Sequence, residues 1–254
     1  MLAVLSPLDL IALAVFFGVW IGYSTLLDGR YRRPSSINTN MIRVREAWMR
    51  GTLKRGLRMM DSMLIGHTIH SASFFASTTI ILLAGLIGVL GSAERIHAAA
   101  LSLATPFGRG PQALFEIKVL LLIAIFVYAF FKFTWAIRQF NYFCGILGSA
   151  PEADEPQNPA MAPEMTIVLS HAVWQFNAGI RAHYFALGAL GWFLHPVIFM
   201  VMTALIPVLL TRRQLYSPTQ AALARYAASL DRAQLADEGG TDGVTPPGND
   251  DQLG

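Results

Sequence analysis

Hydrophobic residues come in long blocks along this chain. From Met63 to Gly91 no Lys, Arg, Asp or Glu interrupts the sequence, and about 24 helical residues from Thr68 onward rise roughly 36 Å, enough to cross a hydrocarbon core about 30 Å thick. Leu8 to Leu27 is also apolar, with Pro7 suited to an early helix position and Asp9 near the positive helix end. Two further blocks follow at about 115–137 and 182–210. The pattern predicts an all-α integral membrane four-helix bundle with spans at about 8–27, 68–91, 115–137 and 182–210. Basic residues follow the first block and do not precede it, so it reads as a retained span, not a cleaved signal peptide.

The polar punctuation sets an expected topology. Between Asp28 and His67 stand Arg30, Arg32, Arg33, Arg43, Arg45, Arg50, Lys54, Arg55 and Arg58, against Asp28, Glu46 and Asp61, which predicts a cytoplasmic loop over 28–67. Within it Met41, Val44, Trp48, Leu57, Met60 and Leu64 recur largely at helical spacing, predicting an amphipathic basic helix over about 41–62. Gly51 and Gly56 each cost such a helix about 1 kcal/mol, so a break is expected if anywhere there. Arg43, Arg50, Lys54, Arg55 and Arg58 are candidate contacts to anionic lipid headgroups.

Residues 92–114, ending in TPFGRGP, read as an outer connection, and 148–163, with four prolines, as a flexible cytoplasmic linker. Residues 164–181 read as a second amphipathic cytoplasmic helix, with Ile167, Val168, His171 and Trp174 on one stripe. Pro196 and Pro207 are expected to kink or interrupt the fourth span. Four spans place both termini outside, which leaves Arg212 and Arg213 against the charge trend. The segment 217–254 is a polar tail, expected to be disordered from about 231. The two halves share a plan, a span, a connection and a helix continuing into a span, without repeated words.

Composition agrees, with 54% apolar and 14% charged residues against a soluble average of about 25% charged. The pI of 9.2 reflects the basic loop beside a span, where the membrane surface is the nearer anion, so nucleic acid is not an expected partner. The single cysteine, Cys144, excludes an intramolecular disulfide framework.

Candidate chemistry is sparse. No carboxylate lies in the central turns of any predicted span, which disfavours proton- or sodium-coupled transport. His195, beside the Pro196 break, is expected at the level of Ser77, Thr78 and Thr79 as a mid-membrane polar cluster. His67 with His70, and His171 with His183, are expected near the inner surface; imidazoles from separate helices can hold haem or a metal, but no thiolate or carboxylate completes a site and no cofactor is expected. Ala72, Ala76, Ala84 and Gly88, with Ala178, Ala182, Ala186 and Ala189, form stripes of small residues that permit close helix approach.

The stretches SFFASTTIILLAG (Ser73 to Gly85), FNAGIRAHYFALGALGWFLHP (Phe176 to Pro196) and YSTLLDGR (Tyr23 to Arg30) resemble the uncharacterised bacterial membrane proteins grouped as domain of unknown function 599, over Leu8 to Tyr216. The resemblance implies a multi-span membrane protein and supplies no catalytic residue. The residues together predict a bacterial inner-membrane protein that is not an enzyme. Its expected role is an oligomeric scaffold or an accessory subunit touching anionic lipids, copies of itself or other membrane proteins. The alternatives are a channel or carrier for a small solute or ion, and a haem- or metal-binding redox protein.

Overall fold

The computed structural model describes residues 4–28, 36–102, 110–155 and 158–241, and among these the only regular secondary structure is helical. The helices are α1 (Pro7–Asp28), α2 (Ile37–Leu53), α3 (Met59–Gly91), α4 (Ala93–Ser102), α5 (Gln112–Gly148), α6 (Met161–Leu194), α7 (Pro196–Tyr216) and α8 (Pro218–Thr241). Four helical segments, beginning at Pro7, Met59, Gln112 and Pro196, are long and apolar enough to cross a membrane.

The α5 and α6 pair is the axis of the fold, and the two helices run antiparallel along their whole lengths. Phe115 meets Phe193 at 5.7 Å between ring centroids near one end, and Phe133 meets Phe176 at 5.7 Å further along. Gly179 makes this contact possible, because a Cβ there would lie 2.6 Å from the Phe133 ring. Helix α3 packs along α5 as well and reaches α6, with Phe75 stacked on Phe133 at 5.6 Å and 5.7 Å from Phe176.

The predicted fourth span needs correction. Residues 182–210 are not one rod, because the chain reverses at His195 and α7 returns beside α6. Proline cannot donate the backbone hydrogen bond of a continuing helix, and it biases the preceding residue toward extended backbone; His195 has φ −163° and ψ 142°. Its Nδ1 accepts from the Val197 N–H at 3.2 Å and caps the new helix. Gly188 and Gly191 admit the returning helix, since a Cβ on either would lie 2.8 Å from Ile206 Cδ1 or Met202 Sδ respectively. Pro207, in contrast, sits inside α7.

The reversal makes α6 an inner helix. It carries Gln175, Asn177, Arg181 and His183 and buries sixteen of its 34 residues, whereas the more apolar α3 buries five of 33. Apolar helices shelter the polar one, as a low-dielectric solvent requires.

Two cores are strung along the α5 and α6 axis. The first joins α1, α3, α5, α6 and α7 through Phe16, Phe133, Phe185, Trp192 and Phe199. The second joins α2, α3, α5 and α6 through Met49, Ile65, Phe140, Phe143, Met165 and Leu169. At 37 residues α5 is about 55 Å long, roughly 25 Å more than a hydrocarbon core.

Three further expectations change. The helix predicted over 41–62 is split: α2 begins at Ile37, where the Ser36 hydroxyl caps Thr39 N at 3.2 Å, and ends at Leu53, before Gly56 and not at Gly51. Helix α8 continues to Thr241 past the expected onset of disorder at 231, and residues 242–254 lie outside those described. It also packs against α2, with Arg43 Nη1 3.3 Å from Asp231 Oδ2. The C-terminal helix therefore shares an end of the bundle with the basic segment, contrary to the four-span expectation that put them on opposite sides.

Glycines at close and open positions should respond oppositely. Gly179→Ala should lower the unfolding midpoint of the detergent-solubilised protein, at a cost of about 1–3 kcal/mol, since Phe133 has no room to move. Gly85→Ala, in open space on α3, should leave it unchanged or raise it by up to about 1 kcal/mol.

Candidate functional site

The expected polar cluster exists in a different form. His195 is exposed at the hairpin tip and does not meet the hydroxyls of α3. Ser77 faces outward and Thr78 donates to its own helix at Phe74 O, 2.9 Å away. Thr79 is fully buried, donates to Phe75 O at 2.6 Å and lies 3.2 Å from His183 Nε2. His183, expected near the inner surface, is the histidine at the hydroxyl level: eleven residues of α6 separate it from Leu194, about 16 Å or half a hydrocarbon core. Reading backward from Pro196 as a helix stop would have found it.

The His183 ring is set among phenylalanines, with centroids 5.2 Å from Phe126, 5.5 Å from Phe133 and 6.3 Å from Phe75. Its Nδ1 lies 3.1 Å from Gly179 O. The ring is thus held by a hydroxyl of α3 on one side and a carbonyl of its own helix on the other.

Two buried aspartates in first helical turns each fasten a distant tryptophan, a pairing that sequence spacing does not reveal. Asp9 takes the Trp192 indole N–H at 2.7 Å and the Ser6 hydroxyl at 2.6 Å, pinning α1 to the end of α6, with Lys118 5.6 Å above the Trp192 ring. Asp61 Oδ1 takes the Trp48 indole at 2.6 Å and Arg55 Nη1 at 2.7 Å, tying α2 and the turn after it to the start of α3. Asp61 Oδ2 is buried without a hydrogen-bond partner among the described residues.

The five candidate headgroup contacts divide. Arg55 is tied to Asp61, while Arg58 donates to Thr52 O at 3.2 Å, to Ala150 O at 2.8 Å and to Pro151 O, closing the turn between α2 and α3 against the linker after α5. Arg43, Arg50 and Lys54 instead line one cleft of about 990 Å³ between α2, the start of α6 and α8. Arg50 pairs with Glu46 within α2. Arg45 donates to Ser170 Oγ at 3.2 Å; burial pushes its guanidinium down to about 10, still cationic at neutral pH.

The small residues also divide. Ala72 and Ala76 of α3 and Ala178, Ala182, Ala186 and Ala189 of α6 are buried inside the protomer. Ala84 and Gly88 point outward, as do Met59, Met63, Gly66, His70 and Ser77, while His67 and His171 are exposed. Added Cβ atoms at Gly66, Gly85, Gly88 or Gly91 would meet nothing within 4 Å. Among the described residues no group of three His, Cys, Asp or Glu side chains gathers as for a metal ion.

The family model described as "Protein of unknown function, DUF599" matches residues 11–219. No curated protein and no solved structure matches the chain.

Truncating the lower fastener should be costly. Asp61→Ala leaves the Trp48 N–H and Arg55 without their acceptor and should destabilise by about 1–3 kcal/mol in detergent unfolding. Asp61→Asn, which retains a carbonyl oxygen for Trp48, should lose less.

Proposed function

The chain belongs to the DUF599 family, which assigns no chemistry, and from its geometry we propose that it is an oligomeric scaffold or accessory subunit of a bacterial inner-membrane complex. The observation that carries this reading is the outward face of α3. Met59, Met63, Gly66, His70, Ser73, Ser77, Ile80, Ala84, Ile87 and Gly91 recur at alternating three- and four-residue steps over the helix. At a 3.5-residue spacing over more than four heptads they make one continuous strip of small and apolar residues with His70, Ser73 and Ser77 among them, and in this reading a second helix lies along it. Within one protomer the packing of α3 is chiefly against α5, on the face opposite this strip.

The glycines on that side strengthen the reading. Each glycine inside a helix costs about 1 kcal/mol relative to alanine, and nothing inside the protomer needs the space at Gly66 or Gly88. Small residues let membrane helices approach closely and gain dispersion contacts, where lipid supplies no hydrophobic driving force between helices. A second helix running along the strip accounts for them.

In this reading the end carrying α2, Arg212, Arg213 and α8 is cytoplasmic and touches anionic lipids. Five bundle segments then leave Pro7 outside and α8 inside, and Arg212 and Arg213 no longer oppose the charge trend. A channel or carrier for a small solute or ion is the second reading, favoured by the His183 and Thr79 contact in an aromatic layer at mid-depth.

With Cys144 replaced by Ser, Ser77→Cys and Ala84→Cys should form disulfide-linked dimers in native membranes, and Leu82→Cys on another face should not. Monomers at all three positions, with no partner recovered by mild cross-linking, overturn the scaffold reading. Reconstituted liposomes should show no ion or small-solute flux under it; flux abolished by His183→Ala would establish the second reading in its place.

A further inference from the structure

We propose that the cleft between α2 and α8 binds a phosphate-class anion, either a phosphorylated solute or a lipid headgroup. This goes beyond the oligomeric reading, and no α3 residue lines the cleft. At about 990 Å³ it lies at the large end of small-molecule sites, which run from about 300 to 1,000 Å³. One wall is a single face of α2, where Arg43, Arg50 and Lys54 succeed one another at seven and four residues and spread three cations over about 16 Å. The other wall is α8, which presents Asp231 and Gln234, and Leu53 and Ala162 add apolar surface.

The charges are arranged for exchange. Glu46 is held by Arg50 inside α2, and Asp231 by Arg43 across the cleft through one contact of 3.3 Å. Arg43 and Asp231 are 47% and 49% exposed, and an ion pair that open contributes no more than about 1 kcal/mol. A phosphate group carries more charge and accepts a guanidinium in bidentate fashion, which a single carboxylate contact does not match. Asp231 is therefore a built-in competitor that the anion displaces. Arg45, on the same helix and still cationic, adds to the positive field along α2. Since α8 forms one wall, an anion bridging Arg43 and Arg50 also sets how closely α8 sits on α2.

The full-length protein in neutral detergent micelles can be titrated with inorganic phosphate by calorimetry. In parallel, its thermal midpoint can be compared in phosphatidylcholine bilayers with and without phosphatidylglycerol. Saturable binding of phosphate identifies a solute site. Stabilisation by phosphatidylglycerol without phosphate binding identifies a headgroup site, and either supports the proposal. Arg43→Ala with Arg50→Ala should weaken the response about tenfold or more, the loss of charge-assisted contacts. Lys54→Glu serves if that pair fails to fold. Asp231→Asn is the decisive variant: removing the competitor should tighten binding several-fold. No response to either probe, unchanged binding in the arginine variants, or weaker binding in Asp231→Asn would overturn the assignment.

Discussion

The constraint on which this structure turns is the proline at position 196. A helix reaching Leu194 must satisfy its last carbonyls, and Pro196 offers no N–H to them while biasing His195 away from helical backbone, so the helix stops there, whereas α7 passes through Pro207. Here the chain resolves the problem by reversing: His195 takes extended backbone, caps the next helix with its own ring, and sends α7 back along α6. Glycines 188 and 191 make the return compact, because side chains there would occupy the volume of Ile206 and Met202. Everything at the C-terminal end follows, including the ion pair that places α8 beside α2.

Reversal also changes what α6 is for. Its polar residues would be a liability on a lipid-facing helix, since an intramembrane polar group without a partner is costly. Surrounded by α1, α5 and α7 over its second half and by α2 and α5 over its first, α6 carries them inside the protein. The two aspartate and tryptophan fasteners lie at opposite ends of the assembly. Asp9 holds α1 where α6 ends, and Asp61 holds α2 where α3 begins. Each puts a carboxylate at the positive end of its own helix and uses the remaining acceptor capacity on another element.

Three features remain after the internal packing is accounted for: an exposed face of α3, a half-buried histidine held among phenylalanines, and a cleft lined by three cations at the basic end. They occupy different parts of the molecule. Separate surfaces allow these properties to be varied independently, since a change at Ser77 touches none of the residues that line the cleft.

The sequence by itself determined the helical class and the presence of helices long and apolar enough to cross a membrane, because uncharged blocks longer than a bilayer is thick admit few other states. It also located α1 to within one residue at each end and the end of α3 at Gly91, and marked position 196 as a break, while α3 begins nine residues before the predicted span and α5 runs eleven residues beyond its own. Tertiary structure decided what that break does, since kink and reversal start from the same missing N–H and differ only in whether neighbouring glycines leave a groove for the returning helix. It also decided the depth of His183, which depends on where α6 ends and not on where its hydrophobicity begins. The division of the small residues followed the same logic: Ala76 and Ala84 are alike in composition, and only the position of α5 turns one inward and leaves the other exposed. Pairings such as Asp9 with Trp192, 183 residues apart, carry no periodic signal, because they arise when separate helices meet.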